Sequence, residues 1–172
     1  MPATEPRDRG TMEHMHTAAD PRRCYVASPL GFTEAGRHYY NCVYLPALAT
    51  AVDPVDPWAL TSEPEIAAAR AAGREHELAL AIGRRNAAAI RSCALLAAYL
   101  DGQEPDSGTV AEVGFAAALG LRCFGLRTDF RQAGEAGAAV NLQVETFIVD
   151  SGGRIAASLE ELVGDLRACA NA

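Results

Sequence analysis

The chain contains no lysine: all fifteen of its basic residues are arginine. Schiff-base chemistry, which needs a lysine amine, is thereby excluded. Its five cysteines, Cys24, Cys42, Cys93, Cys123 and Cys169, show no C-x-x-C spacing, so they read as small buried hydrophobes in a reducing compartment. The four histidines, His14, His16, His38 and His76, form no H-x-x-x-H pair and no His/Cys cluster, so no metal site is expected. Neither G-x-G-x-x-G nor G-x-x-x-x-G-K-[ST] occurs, so the usual cradles for dinucleotides and triphosphates are missing. No apolar run approaches the ~20 residues of a membrane helix, and the first residues lack a signal-peptide core. The expected location is the cytoplasm. Net charge is −7 with no basic stripe, which argues against nucleic acid and membrane surfaces as partners.

What is present suits one domain. A chain of 172 residues can bury about two-thirds of its extended surface around a single core. Residues 1–21 are rich in Pro, Arg, Asp, Glu and Thr and are expected to be a disordered extension, with Met12 and Met15 as alternative starts. The domain then spans 22–172. A first strand is expected over 23–28 and a helix over 33–49 that Pro46 kinks or shortens. Within that helix Tyr39, Tyr40 and Tyr44 read as core or interface, not as contacts to a base. A weak second strand over 51–56 is broken by Pro54. Ser62-Glu63-Pro64-Glu65 is a capping box whose helix extends toward Arg91, with Gly73 and Gly83 as possible breaks. A third strand, buried on both faces, covers 94–100, and a fourth covers 121–127. Residues 128–140 read as a mobile lid or crossing loop, and 141–148 as leading into a fifth strand. Ser151-Gly152-Gly153 turns the chain, and Ser158-Leu159-Glu160-Glu161 caps a final helix ending near Cys169. Strands alternating with helices predict an α/β fold, a parallel sheet with helices on both faces.

The chain is organised around the stretch from Leu100 to Ala116, where the third strand gives way to an acidic, glycine-containing loop and then to a helix. The carboxyl edge of an open α/β sheet is where ligands settle, and Asp106 and Glu112 stand there. Glu112 admits two readings. Thr109-Val110-Ala111-Glu112 matches the S/T-x-x-E capping box. Equally, a carboxylate in the first helical turn is held ionised by the helix dipole, as a nucleophile at a sugar carbon must be. Asp106, just before Ser-Gly, reads as a turn former.

The run Asp106-Ser107-Gly108-Thr109-x-x-Glu112-x-Gly114-x-Ala116 follows an opening strand Cys24-Tyr25-Val26-Ala27-Ser28-Pro29-Leu30-Gly31-Phe32. Together with Asp56-Pro57-Trp58, Asn86 and Asn141-Leu142-Gln143-Val144-Glu145, it resembles the nucleoside 2-deoxyribosyltransferase family over residues 23–168. The resemblance implies a flavodoxin-like, doubly wound sheet of five parallel strands in the order 2-1-3-4-5. It implies an enzyme of purine and pyrimidine salvage that moves the 2-deoxyribosyl group between nucleobases through a covalent ester on Glu112, with no cofactor. Tyr25 matches the tyrosine that orients the nucleophile, and Asp106 the aspartate that contacts the base and takes part in its protonation. Asn86 falls near the reacting sugar, where an amide cannot serve as an acid. Asn141 and Gln143 match the segment lent by a neighbouring subunit, which implies a homodimer or higher homo-oligomer. Ser28 and Gly31 belong to the loop after the first strand. Phe32 and Trp58 are candidate walls against the base, or else core packing. Where the family commonly has an aspartate before the third strand, Cys93 stands.

Two other functions fit the same fold. One is an N-glycosidase that hydrolyses (deoxy)nucleoside 5′-monophosphates; its members tend to carry a serine at the Asp106 position, and a carboxylate there repels a phosphate dianion by about a few kcal/mol. The other is a non-catalytic nucleotide-binding domain, against which the joint presence of Tyr25, Asp106 and Glu112 argues.

Overall fold

The computed structural model describes residues 20–172. The expected extension lies, for residues 1–19, outside the described residues, as do Met12, Met15, His14 and His16. Five strands, β1 (Arg23–Ala27), β2 (Asp53–Val55), β3 (Leu95–Tyr99), β4 (Arg122–Leu126) and β5 (Ile155–Ala156), form one sheet in the order β2-β1-β3-β4-β5. Every pairing is parallel, with Tyr25 opposite Val55 and Leu96, and Leu96 opposite Cys123. The chain leaves β1 toward one edge and returns to β3 on its other side. This switch opens a crevice beyond the carboxyl ends of β1 and β3.

Alternation along the strands sends successive side chains to opposite faces, and both faces are covered. Cys24 and Val26 pack with Tyr40, Tyr44, Leu48, Leu162 and Leu166. These come from the segment built of α1 (Glu34–Tyr39), a π turn (Tyr40–Tyr44) and α2 (Leu45–Ala49), and from the last helix, α7 (Leu159–Ala170). Tyr25 and Ala27 pack on the other side with Ile90, Val113, Val144 and Ile148, which lie in α4 (Glu75–Arg91), α5 (Ser107–Ala118) and α6 (Leu142–Asp150). A short α3 (Glu63–Ala71) precedes α4. Each fully buried Leu or Ile contributes about 1.5–3 kcal/mol, so this two-sided core is what fixes the crevice above it.

Local chemistry explains the element ends. Thr33 accepts from the Gly36 N–H, Ser62 from Glu65 and Ser158 from Glu161, as their N-cap positions require. Pro46 cannot donate and its ring crowds the carbonyl four residues back; the helix answers with a π turn in which the Leu45 N–H reaches Tyr40 O. A π turn rotates less per residue than an α turn, so Tyr40, Tyr44 and Leu48, each four apart, stay in line on the sheet.

The structure corrects three expectations. Residues 141–148 do not lead into a strand: Asn141 accepts from the Gln143 N–H and caps α6, and Val144 and Ile148, four apart, are its buried stripe. The β-branched and aromatic residues there pack as a helix because tertiary burial overrides propensity. Strand β5 comes only after the Ser151–Gly153 turn. Gly83 does not break α4, whereas Gly73, at φ +64°, separates α3 from α4. Finally, α5 begins at Ser107 with Asp106, not Thr109, as its N-cap. Residues 128–140 have no regular secondary structure beyond turns, yet their start is fastened. Asp101 accepts from the Thr128 N–H at 2.5 Å and the Asp129 N–H at 2.9 Å. Buried Arg127 donates to the carbonyls of Leu100, Gly102 and Arg131.

Candidate active site

A cavity of about 310 Å³ opens in the crevice, lined by Ser28, Phe32, Trp58, Asn86, Asp106 and Glu112 together with Pro57, Ile82, Gly108 and Thr109. Tyr25 is buried beneath it. The loop after β1 supplies Ser28 and Phe32, the segment after β2 supplies Pro57 and Trp58, and α4 supplies Ile82 and Asn86. The loop after β3 supplies Asp106, and α5 supplies Glu112.

Glu112 is held at one oxygen. The Tyr25 hydroxyl donates to Oε1 at 2.6 Å, and the Asn86 amide donates to the same atom at 3.4 Å. Among the described residues, no hydrogen bond reaches Oε2. Burial pushes the Glu112 carboxyl above the ordinary carboxylate range; the Tyr25 and Asn86 donors oppose that shift, and the Asp106 charge adds to it. Burial, with Glu112 beside it, pushes the Tyr25 phenol far above its usual value, so it remains a protonated donor. The amide orientation of Asn86 follows from its contact, since turning it over would set oxygen against oxygen. Its own Oδ1 is buried and has no hydrogen-bond partner among the described residues.

Asp106 is fixed by the helix it caps. One oxygen, Oδ2, accepts from the Thr109 N–H at 2.8 Å and the Thr109 hydroxyl at 3.2 Å. The capping reading of Glu112 therefore fails: Glu112 lies a turn and a half into α5, points at Tyr25 instead of back to the helix start, and owes little to the helix dipole, which acts within the first turn. Asp106 does form a turn, and it also borders the cavity.

Phe32 and Trp58 are not core. They are 71% and 39% exposed and meet edge to face, with centroids 4.9 Å apart at 84°. Trp58 lies on a short 3-10 turn (Pro57–Leu60) whose N-cap, Asp56, accepts from the Trp58 N–H at 2.9 Å. Gly31 is buried under the indole: a Cβ there would stand 2.2 Å from Trp58 Cε2. Ser28 accepts from the Leu30 N–H, which closes the loop.

Asn141 and Gln143 are not brought to this cavity within one chain; both are exposed at the start of α6. Four lining residues were not anticipated. Ile82 lies one helical turn before Asn86 on α4, and that spacing was the available signal. Pro57, Gly108 and Thr109 sit inside motifs already singled out. Cys93 is buried, donates to Ala89 O at 3.3 Å and does not line the cavity. Among the described residues, no three of His, Cys, Asp and Glu are grouped so as to hold a metal ion, and no helix is long and apolar enough to cross a membrane.

A family model described as nucleoside 2-deoxyribosyltransferase matches residues 24–154. Among curated proteins none matches. Among solved structures, a conserved protein from Enterococcus faecalis V583 is similar with a TM-score of 0.61 and 24% identity, over 85% of this chain and 97% of that one. At that identity the likeness is one of fold.

Proposed function

The chain belongs to the nucleoside 2-deoxyribosyltransferase family, and on that premise we propose that it transfers 2-deoxyribose between nucleobases by two displacements at Glu112. The observation that carries this reading is the 2.6 Å hydrogen bond from Tyr25 to a carboxylate that borders the cavity. With Oε1 held by two donors, Oε2 is the attacking atom. It forms a bond to C1′ of a 2′-deoxynucleoside while the C1′–N bond breaks, its electron pair leaving with the base. Asp106, or a water beside it, delivers the proton that the departing nitrogen needs. The resulting deoxyribosyl ester is attacked by the nitrogen of a second base, which loses its proton by the reverse route and releases the Glu112 carboxylate. The passage between is oxocarbenium-like, and an anion close to one face of the sugar stabilises it.

Phe32 and Trp58 offer flat apolar surface to the base, and Asn86 offers an unpartnered acceptor near the sugar. Asn141 and Gln143, which do not line the cavity of their own chain, would act in the site of a second copy, so the working unit is a homodimer or a larger homo-oligomer. Exposed Leu142 and Val149 on α6 are apolar surface available to such a contact. Size measurement by light scattering, and recovery of activity on mixing inactive Glu112→Ala and Asn141→Ala chains, test this part.

The test of the reaction is incubation with deoxyinosine and adenine, with deoxyribonucleoside monophosphates in water as the second arm. Formation of deoxyadenosine, and a deoxyribosyl mass increment on the Glu112 peptide with a slow analogue, is expected. Release of base from monophosphates alone would move the assignment to a nucleotide N-glycosidase, a reading that the Asp106 charge disfavours.

A further inference from the structure

We propose that Tyr40 is a positioning residue for the aromatic wall of the cavity, acting through Asp56 on Trp58. It does not line the cavity itself. Its ring is buried in the core on the opposite face of the sheet from α5, 2% exposed and packed beside Tyr44 with centroids 6.1 Å apart. Its hydroxyl donates to Asp56 Oδ1 at 2.8 Å, and that same oxygen accepts the Trp58 N–H at 2.9 Å. One carboxylate oxygen thus joins the rigid core to the residue that carries the wall.

The connection is directional. Trp58 sits on a four-residue 3-10 turn (Pro57–Leu60), too short to hold its own geometry by cooperative hydrogen bonding. With the indole 39% exposed, packing fixes only its inner face, over Gly31 and against Phe32. At its far end the Arg85 guanidinium holds the Thr61 hydroxyl at 3.1 Å, and at its near end, beside Trp58, the restraint is Asp56. An aspartate at a loop end samples several rotamers unless something restrains it, and the Tyr40 hydroxyl is the side-chain donor that does so. Burial and the adjacent carboxylate push the phenol far above its ordinary range, so the donor is present at any working pH. The π turn in which Tyr40 lies gives the ring its place: it keeps Tyr40 and Tyr44 in line on the sheet. A brace of this kind preorganises the site for a flat heteroaromatic ring. It sets how well the base is held, not how fast the sugar reacts.

The consequence for substrate handling rests on the deoxyribosyl-transfer reading, but the brace itself is tested without it. Trp58 is the single tryptophan of the chain, so emission excited at the red edge of tyrosine absorption reports on the wall alone. In Tyr40→Phe, which keeps the ring and removes only the hydroxyl, Trp58 emission should shift to the red and become about 2-fold more open to acrylamide quenching. KM for the donor deoxynucleoside should rise about 3- to 10-fold with kcat within about 2-fold, the pattern of lost uniform binding from one hydrogen bond. Asp56→Ala should reproduce both effects, and in that background Tyr40→Phe should add little, since the two act through one contact. Asp56→Ala also carries the test if Tyr40→Phe fails to fold. A folded Tyr40→Phe protein whose Trp58 emission and quenching equal those of the parent would overturn the proposal. So would a fall in kcat at constant KM, or effects that add in the double variant. Absence of base exchange in the parent protein would remove the reaction assignment, and the emission measurements would still decide the brace.

Discussion

The Tyr25 hydroxyl and Glu112 Oε1 meet at 2.6 Å although 87 residues separate them in the chain. Strand β1 and helix α5 are brought together by the sheet for that contact to exist. A hydrogen bond to an ionised group contributes about 1.5–3 kcal/mol, so Tyr25→Phe should lower kcat/KM for base exchange by about 10- to 100-fold. Because the Tyr25 donor opposes the upward shift of Glu112, its removal should also move the acidic limb of the pH–rate profile to higher pH. An unchanged limb with unchanged rate would separate Tyr25 from the nucleophile.

Glu112→Gln should trade activity for stability. In the folded protein the Glu112 carboxyl titrates above its unfolded value, chiefly through burial. Its favourable contribution is therefore complete below the unfolded value and is lost as pH rises through the folded one. At neutral pH the ionised side chain weakens the fold relative to a neutral isostere, and a glutamine oxygen still accepts from Tyr25. The variant should melt higher than the parent at pH 7, with the gap closing as pH falls toward the ordinary carboxylate range. Base exchange should fall on the order of 10⁴-fold or more, with no adduct on that peptide. A lower melting temperature at pH 7 would contradict the assignment of the shift to burial.

Asp106→Asn separates the cap from the acid. Asparagine caps helices about as well as aspartate, so stability should hold within a few tenths of a kcal/mol. The charge is lost, and with it the upward push on Glu112, so the acidic limb should move to lower pH, opposite to Tyr25→Phe. If Asp106 delivers the proton, kcat for substrates with poor leaving bases should fall about 10²- to 10⁴-fold. Retention of full activity would leave Asp106 as a cap alone.

The strands of the sheet were legible because they depend on local pattern, whereas their order and the heart of the cavity were legible through the family resemblance. The apolar runs around Val26, Leu96 and Phe124 are strands that helices cover on both sides, and the loops after β1, β2 and β3 carry the residues singled out. Reading failed where a residue's surroundings, not its neighbours in sequence, decide its state. Thr109 and Glu112 have capping-box spacing, yet Asp106 takes the cap because its carboxylate reaches the Thr109 N–H first. Phe147, Ile148 and Val149 have strand-forming side chains, but Val144 and Ile148 bury as one helical stripe. The exposure of Phe32 and Trp58 and the brace from Tyr40 to Asp56 join segments far apart in sequence, and no spacing announces them.

Asp101 fastens residues 128 and 129 to the loop after β3. Its Oδ1 accepts two backbone N–H groups there, and its Oδ2 accepts from the hydroxyls of Thr128 at 2.6 Å and Tyr99 at 2.9 Å. Asp101→Ala leaves these donors without their acceptor, at a cost of about 1–3 kcal/mol, most of it from the two part-buried groups, the Asp129 N–H and the Tyr99 hydroxyl. Hydrogen exchange at Thr128 and Asp129 should accelerate well beyond the change in global stability. Equal acceleration throughout the sheet would mean that the contact is no local latch.

Gly31→Ala isolates the wall from the stability of the fold. The backbone at Gly31 does not need glycine, since its φ is not positive. Alanine there also lowers the entropy of the unfolded chain, which by itself stabilises by about 0.4–1 kcal/mol. The obstacle is the indole, whose Cε2, Cζ2 and Cδ2 atoms would lie 2.2, 2.4 and 2.5 Å from the new carbon. A rigid bicyclic ring has no flexible end to bend away, so Trp58 must swing outward as a whole and give up its edge contact with Phe32. The melting temperature should therefore change little while Trp58 emission shifts and KM for deoxynucleosides rises about 10-fold or more, the cost of misplacing one aromatic wall. A melting temperature that falls sharply would mean the strain spreads into β1. An unchanged KM with a displaced indole would remove Trp58 from the binding of the base.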